Sequence, residues 1–247
     1  MAAYKRIVIK LSGETLAPVL KGKNFDELPK NSSVCYSEDR INETARMLIR
    51  LSEMGIQVGV VLGGGNIWRG RFSDSMDPVD ADQMGMLATI MNATAAKEAV
   101  TRLGGKAAVL TAQEMTRFAR LYTRDAALEL MEKGYIVFLA GGSGNPFFTT
   151  DTAGALRAAE LKADAYFKGT NVEGVFDSDP RKNPNAKLLK ELTYQQAIDM
   201  QLHVMDSTAF SLCMEKNVPF IRVFNMDDLE NIIRVCSGEE LGSVVHK

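Results

Sequence analysis

Ile136-Val-Phe-Leu-Ala140, followed by Gly141-Gly-Ser-Gly-Asn-Pro-Phe-Phe-Thr-Thr-Asp151, is the stretch that decides the fold of this chain. The apolar residues are rich in strand formers and predict a buried strand, and the glycines after them predict a sharp turn. A helical run, residues 153–161, comes next. The N–H groups of such a turn and the positive end of a helix can bind phosphate oxygens. A tight turn with a simple helix cap is the other interpretation of this stretch alone.

The same arrangement occurs twice more. One predicted strand ends beside Lys10, just before Ser12-Gly13, and another ends just before Gly63-Gly-Gly-Asn66, with Arg69 beyond it. In open α/β sheets, ligands bind in the crevice outside the carboxyl ends of the strands. Three such turns at one edge therefore predict a phosphate-rich site. The chain contains neither a P-loop pattern nor the glycine pattern of dinucleotide-binding folds.

Bulk composition excludes several other classes. The chain has 247 residues, 46% of them hydrophobic and 24% charged, and a net charge of −2, as in an ordinary globular enzyme. No block of Lys and Arg suggests nucleic-acid binding. No signal-like start and no apolar run of membrane-spanning length occurs, so we expect a cytoplasmic protein without a membrane partner. Three dispersed cysteines and two histidines argue against a disulfide framework or a zinc site.

Strand and helix patterns alternate along the chain and predict an α/β fold, a three-layer αβα sandwich around a mostly parallel sheet. Residues 16–38 look like an irregular loop, and Ser37 or Asp39 could cap the first helix. The predicted strands are 4–11, 56–62, 107–111, 136–140, 165–168, 220–225 and 244–245. The later predicted helices are one starting near Asp80–Asp82, then 123–133, 153–161, 193–201, 207–216 and 229–236.

With these residues in hand, the chain resembles the amino-acid-kinase superfamily and, within it, the bacterial branch that uses UMP. The resemblance covers nearly the whole length. The first two motifs below are widespread in the superfamily, and the third and fourth are more specific to the UMP-using branch. The motifs are Lys10-Leu-Ser-Gly-Glu14, Gly63-Gly-Gly-Asn-Ile-Trp-Arg69, Asp82-Gln-Met-Gly-Met-Leu-Ala-Thr89, Gly142-Ser-Gly-Asn-Pro-Phe-Phe-Thr-Thr-Asp151, Val175-Phe-Asp-Ser-Asp-Pro180 and His203-Val-Met-Asp206.

This resemblance implies transfer of the γ-phosphoryl group of MgATP to UMP, which gives UDP and ADP. The acceptor is a phosphate that is already ionised at neutral pH, so the reaction needs positioning and charge neutralisation rather than a general base. Magnesium should arrive on the ATP phosphates, and no metal-binding residue is assigned. The family usually forms hexamers. We expect one domain over 1–247, with a soft boundary near 168 between a UMP-binding, oligomer-forming lobe (1–168) and an ATP-binding lobe (169–247).

The resemblance implies four catalytic residues. Lys10 would stabilise the transition state, and its other interpretation is a solvated lysine. Arg69 would bind phosphate oxygens, or else lie over Trp68 at the surface. Asp206 would hold the catalytic lysine, or else cap helix 207–216 together with Ser207. Asp151 would cap the helix that follows and help to orient Lys10 or the metal-bound phosphates.

The resemblance also implies the two nucleotide sites. For UMP it gives Gly64, Asp82 as the ribose ligand (or a helix cap), and Ser143, Gly144, Asn145, Pro146, Phe147, Phe148, Thr149 and Thr150. Within this set Phe147 and Phe148 are expected in the core. For ATP it gives Lys10, Leu11, Ser12, Gly13, Gly65, Arg69, Thr170, Asn171, Phe176 and Asp179. Asp179 has a purely structural alternative in its turn.

Other possibilities remain open at the level of sequence. One is a superfamily kinase that acts on a carboxylate or carbamate, and another is a non-catalytic oligomer on the same fold, such as a metal-storage protein. A regulatory DNA-binding role has no support in the residues. The loop 16–38 is longer than the usual connection and lacks the G-F-G-I-D-like element that accompanies GTP activation in many relatives. The helical stripe Met84–Ala95 could be either a subunit contact or core.

Overall fold

A computed structural model describes residues 3–18, 35–68, 76–202 and 204–247. Arg69, His203 and most of the predicted loop 16–38 lie outside these residues. The strands are β1 (Arg6–Leu11), β2 (Gln57–Leu62), β3 (Ala107–Thr111), β4 (Arg120–Leu121), β5 (Ile136–Ala140), β6 (Ala165–Thr170), β7 (Val175–Phe176), β8 (Leu188–Leu189), β9 (Glu191–Thr193), β10 (Phe220–Asn225) and β11 (Ser243–His246). The helices are α1 (Glu38–Glu53), α2 (Pro78–Arg102), α3 (Arg124–Glu132), α4 (Thr150–Glu160), α5 (Tyr194–Asp199), α6 (Ser207–Glu215) and α7 (Glu230–Cys236).

The centre of the fold is a sheet that has nine strands within the described residues, in the order β4-β3-β5-β2-β1-β6-β10-β11-β9. Neighbouring strands are parallel except β10 and β11. Helices α1, α2 and α7 pack on one face and α3 to α6 on the other, with separate apolar clusters around Phe138 and Tyr166. The predicted three-layer, mostly parallel α/β fold is confirmed.

Helix starts follow ordinary capping chemistry. The Ser37 hydroxyl accepts a hydrogen bond from the Arg40 N–H at the start of α1, as one of the two predicted caps would. Helix α2 begins earlier than predicted, because Asp77 caps the Val79 N–H and Pro78 takes the first helical position, where its missing N–H costs nothing. The short strands β4 and β7 to β9 were not predicted, since two or three residues carry too little periodicity.

The order of the strands determines where a ligand can bind. From β1 the chain moves to β2 on one side, and after β5 it returns through α4 to β6 on the other side of β1. The crevice between β1 and β6 is therefore the point where the sheet reverses its winding, which is the usual ligand site of such folds. At the carboxyl ends of these two strands, Lys10 and Lys168 are register partners.

Helix α2 separates its apolar residues between two environments. Ala88 of the predicted stripe is buried, but Leu87 and Met91 are 51% and 54% exposed. Ile90 and Ala93 contribute to the core instead. The stripe is therefore mainly a surface feature. In the part of the chain that the structure describes, no helix combines the length and apolarity that crossing a bilayer requires.

Candidate active site

Two lysines share one buried carboxylate at the carboxyl ends of β1 and β6. Lys10 Nζ lies 3.0 Å from Asp151 Oδ1. Lys168 Nζ lies 2.5 Å from the same oxygen and also contacts Oδ2. Asp151 and Lys168 are both buried. The arrangement carries one net positive charge, since two ammonium groups face one carboxylate.

The electrostatics of this cluster favour an ionised carboxylate. Burial alone raises the pKa of Asp151, but the charges of Lys10 and Lys168 outweigh it, so that the net pKa is lowered. Burial and then repulsion from Lys10 lower the pKa of Lys168 to about 8, against the opposing attraction of Asp151. The cluster is thus a fixed pair of cations, and Lys168 loses its proton more easily than an ordinary lysine does.

Helix α4 places Asp151 by its first turn. Thr149, and not Asp151, caps the helix, because its hydroxyl accepts a hydrogen bond from the Asp151 N–H at 3.1 Å. The Asp151 carbonyl accepts from the Tyr166 hydroxyl at 3.1 Å. Gly154 lets that ring approach the helix, since a Cβ there would lie 2.6 Å from Tyr166 Cζ. A carboxylate in the first helical turn is further stabilised by the helix dipole.

Asp206 occupies the N-cap position of α6 but makes no capping hydrogen bond with its side chain. Its Oδ2 accepts instead from the hydroxyl groups of Thr149 and Thr152, the latter at 3.3 Å. Lys10 therefore pairs with Asp151, whereas Asp206 braces the start of α4, which carries Asp151. Within the described residues Asp206 forms no ion pair with a lysine.

The glycine-rich loop, residues 141–148, is held from outside by side chains of other elements. The Gly141 N–H donates to Thr89 Oγ1 on α2 at 2.9 Å. Gln113, just after β3, donates from Nε2 to the Gly144 carbonyl at 2.8 Å. Both glycines have left-handed φ values, +80° and +87°, which residues with a side chain rarely adopt. Within the loop, Ser143 Oγ and the Asn145 N–H are 3.2 Å apart.

The far end of this loop is held by Asp82. Its Oδ2 accepts a hydrogen bond from the Phe147 N–H at 2.7 Å, so Asp82 is not the cap of α2. Phe147 has a left-handed φ of +70°, a strained conformation for an aromatic residue. The expectation that Phe147 and Phe148 lie in the core is wrong, because they are 71% and 49% exposed. Strain and exposed aromatic rings in one loop are typical of a binding site.

The two N-terminal glycine turns pack against each other. A Cβ on Gly13 would lie 2.6 Å from the Gly63 carbonyl, so this position needs glycine. The Asn92 side chain on α2 donates to the same carbonyl at 2.7 Å. Gly64 packs against α2, where a Cβ would lie 2.9 Å from Ala88 Cβ. These glycines are therefore required at least for the close packing of the turns.

Two connected hollows lie beside the lysines. The lysine cavity, about 280 Å³, is lined in part by Lys10, Ser12 and Lys168. The hairpin cavity, about 700 Å³, is lined in part by Phe176 and Asp179. Residues that line both cavities are Thr170, Asn171 and Val204. A larger apolar groove, about 1280 Å³, runs beside Leu87 and Met91 on α2, away from this chemistry.

The hairpin loop, residues 177–187 between β7 and β8, forms one wall of the hairpin cavity. Asp179 Oδ1 accepts from the Arg181 N–H at 3.0 Å, so its carboxylate shapes the turn. Arg181 donates to the Asn171 side chain at 2.7 Å. The contacts within the loop are thus consistent with a purely structural role for Asp179.

Most of the candidate residues are brought to one edge of the sheet. Lys10, Asp151 and Asp206 meet around the start of α4, while Arg69 lies outside the described residues. Sequence reasoning missed Lys168 and Gln113. A lysine inside the otherwise apolar strand Ala165-Tyr-Phe-Lys168, at its carboxyl end as Lys10 is in β1, was the available signal for the first. Nothing local signals Gln113, whose partner is 31 residues away.

Comparisons with known proteins show which family the chain is similar to. Residues 5–225 match the model of the amino acid kinase family. The chain is 45% identical over 248 residues to a uridylate kinase of Parabacteroides distasonis and 44% identical to one of Bacteroides thetaiotaomicron, each covering 100% of both chains.

Solved structures show the same relationship. The UMP kinase of Bacillus anthracis has a TM-score of 0.87 and 34% identity, covering 98% of this chain and 96% of that one. The UMP kinase of Ureaplasma parvum has a TM-score of 0.86 and 36% identity, with 98% and 99% covered. The sequence motifs, the fold and these full-length similarities together establish that the chain belongs to the amino acid kinase family.

Proposed function

We propose that this protein transfers the γ-phosphoryl group of ATP to UMP and releases UDP and ADP. The observation that carries the proposal is the cation pair, Lys10 and Lys168, fixed by Asp151 between the glycine-rich loop and the connected cavities. Full-length similarity to proteins named uridylate kinase supports UMP as the acceptor.

The two ammonium groups would stabilise the charge that spreads over the transferring phosphoryl oxygens. Asp151 fixes both before substrate arrives, so little reorganisation is needed when the charge develops. Because the UMP phosphate is already ionised, no proton has to be removed from the nucleophile. Lys10 and Lys168 are then the catalytic residues of the described chain, Asp151 and Asp206 are positioning residues, and Arg69 is a further phosphate ligand.

UMP would occupy the glycine-rich loop, with Asp82 toward the ribose and Gly64 near its phosphate. Residues 143–150 would surround uracil and the phosphate, and the exposed rings of Phe147 and Phe148 are available to cover the base. ATP would place its nucleoside in the hairpin cavity, beside Thr170, Asn171, Phe176 and Asp179, and its phosphates in the lysine cavity near Leu11, Ser12, Gly13 and Gly65.

The residues also fit a magnesium ion that arrives with ATP. Among the described residues, no group of three His, Cys, Asp or Glu side chains could hold a metal. Mg²⁺ usually takes one or two carboxylates together with phosphates and waters, and Glu14 and Asp227 supply carboxylates at the lysine cavity. When bound, the ion would neutralise charge on the phosphates of ATP.

An acceptor screen tests the proposed function. Release of ADP is measured with UMP, CMP, dUMP, acetylglutamate, aspartate and carbamate, each with and without Mg²⁺. We expect rapid, Mg²⁺-dependent turnover with UMP. Rapid turnover with a carboxylate or carbamate but not with UMP would refute the assignment, and binding without turnover would favour a non-catalytic protein.

The second part of this proposal is that the protein forms a homo-oligomer in the cytoplasm. The resemblance implies a hexamer. Leu87 and Met91 expose apolar surface on α2, next to Phe118, which is also largely exposed. Apolar surface concentrated on one helix is typical of a subunit contact. Light scattering after size exclusion should give several chains per particle for the wild type and a smaller particle for Leu87→Glu. A monomeric wild type would contradict this part alone.

A further inference from the structure

Arg40, in the first turn of α1, has polar groups that its surroundings only partly use. Its Nη1 donates to Glu43 at 2.8 Å. Its Nε is shielded from solvent and has no hydrogen-bond partner among the described residues. Only 20% of the side chain is exposed. A buried donor without an acceptor lowers stability, so its presence calls for an explanation.

The position of Arg40 supplies that explanation. Its side chain lines the lysine cavity, together with Lys10, Ser12 and Lys168. Asp227 lines the same cavity, yet among the described residues it forms no ion pair with Arg40. A carboxylate and a guanidinium that line one cavity can pair, but these two do not. The lysine cavity is therefore lined by three cationic side chains, and one of them, Arg40, has a hydrogen-bond donor without an acceptor among the described residues.

The shape of the guanidinium indicates what could use those donors. Nε and Nη2 point in one direction and match two oxygens of a single phosphate group. Glu43 takes Nη1 and so orients the plane without using that edge. Within the described part of the chain, Nη2 makes no hydrogen bond. The edge formed by Nε and Nη2 is thus an unused two-pronged donor on a side chain that lines a cavity with two ammonium groups.

We propose that Arg40 binds the phosphate groups of the donor nucleoside triphosphate through its Nε and Nη2 edge. This inference rests on the proposed function, which assigns the lysine cavity to those phosphates. Arg40 is a binding residue for the donor, additional to Lys10 and Lys168, and it acts on affinity rather than on the reacting atoms. It comes from α1, on the opposite face of the sheet from α4.

Paired measurements on Arg40→Met test this assignment. We expect the KM for ATP and the dissociation constant of ATP to rise about tenfold or more, because a charge-assisted, two-pronged contact is lost. Binding of adenosine, which lacks phosphates, should stay within about twofold, as should the KM for UMP. Arg40→Lys keeps the charge without the fork and should recover only part of the ATP affinity.

Arg46→Met is the matched control, because Arg46 is an exposed arginine on the same helix that does not line the lysine cavity. It should leave all four quantities unchanged. Unchanged ATP affinity in Arg40→Met would overturn the proposal. So would an equal loss for adenosine, which indicates a nucleoside contact, or a loss for UMP in place of ATP, which indicates the acceptor.

Thermal unfolding without ligand separates binding from a structural role. Removing an unpartnered buried donor should leave the unfolding midpoint of Arg40→Met equal to or above that of the wild type. A clearly lower midpoint together with weaker binding of every ligand would overturn the proposal in favour of a structural role. The ATP and adenosine titrations need no turnover, so they remain decisive even if wild-type protein fails to phosphorylate UMP, the result that would defeat the proposed function itself.

Discussion

The glycine-rich loop and the hairpin loop both adjoin the lysines, but they are held in different ways. The first donates hydrogen bonds to Thr89 and Asp82 and accepts one from Gln113, and all three residues lie on other elements of the fold. For residues 177–187 of the second, the hydrogen bonds between described residues stay within 171–187. The proposed acceptor side of the site is therefore set by the whole fold, whereas the proposed donor side is built locally.

This difference has a consequence for specificity. A loop fixed from three directions keeps its shape before the ligand arrives, which favours discrimination between similar acceptors. A loop that is folded on itself can tolerate change without disturbing its surroundings. A substitution at an attachment of the glycine-rich loop should therefore affect the whole proposed acceptor side. A substitution in the hairpin loop should change only its own surroundings.

The largest effect is expected where the two sides meet. Lys168→Met should lower kcat by about 10² to 10³ and change both KM values little, because the charge acts mainly as the transition state forms. Steady-state kinetics with each substrate varied in turn measures this. Lys133→Met, the same substitution at an exposed lysine, is the control. A raised KM with normal kcat would remove Lys168 from the reacting centre.

The pH dependence of the reaction should report the same lysine. Since burial and Lys10 lower the pKa of Lys168 to about 8, its ammonium form is lost as the pH rises through that value. We expect kcat/KM for ATP to fall about tenfold per pH unit above it, while kcat falls at higher pH because bound phosphates stabilise the charge. A flat kcat/KM profile between pH 7 and 10 would contradict this. In Lys168→Met, the fall of kcat/KM at high pH should be absent.

Asp82→Asn should have the largest effect among the changes to the attachments of the glycine-rich loop. It removes the charge that holds the Phe147 N–H and is expected to raise the KM for UMP about tenfold, with the KM for ATP within about twofold. Asp80→Asn, an exposed neighbour in the same turn, should behave as the wild type. A larger change for ATP than for UMP would move Asp82 out of the acceptor pocket.

Gln113→Met tests the second attachment of the same loop. It keeps the length of the side chain but cannot donate to the Gly144 carbonyl. Loss of one exposed hydrogen bond of about 1 kcal/mol should raise the KM for UMP about fivefold, with kcat nearly unchanged. Gln113→Glu should be worse, because two oxygens would face each other. Equal kinetics for all three forms would show that the loop keeps its shape without this contact.

Asp179→Ala sharpens the contrast from the donor side and should have the smallest effect. It removes the carboxylate that caps the Arg181 N–H, and the loop retains its other internal bonds. The KM for ATP should rise about threefold and the KM for UMP should not change, as expected for loss of one exposed contact. An equal effect on UMP would show that the two sides are coupled more tightly than their hydrogen bonds indicate.

The sequence predicted the features that depend on neighbouring residues. The strand at 136–140, the helix predicted at 123–133 and the glycine turns all follow from local composition, and the structure contains them. What it could not predict are contacts that the fold creates between distant residues. Lys168 meets Lys10 because β6 lies beside β1, and a periodic pattern in either strand says nothing about that neighbour. Phe147 and Phe148 look like core residues by hydrophobicity alone, yet the strained turn that presents them points outward.

The register between β1 and β6 offers a transferable design rule. Two parallel neighbours that carry lysine at paired positions near their carboxyl ends, with an aspartate in the first turn of the helix before the second strand, hold their cations at a separation fixed by the backbone. A scaffold engineer could copy this module into another open sheet without copying any loop. The transferred module would provide a preformed anion-binding site, and the surrounding segments would then determine which ligands bind there.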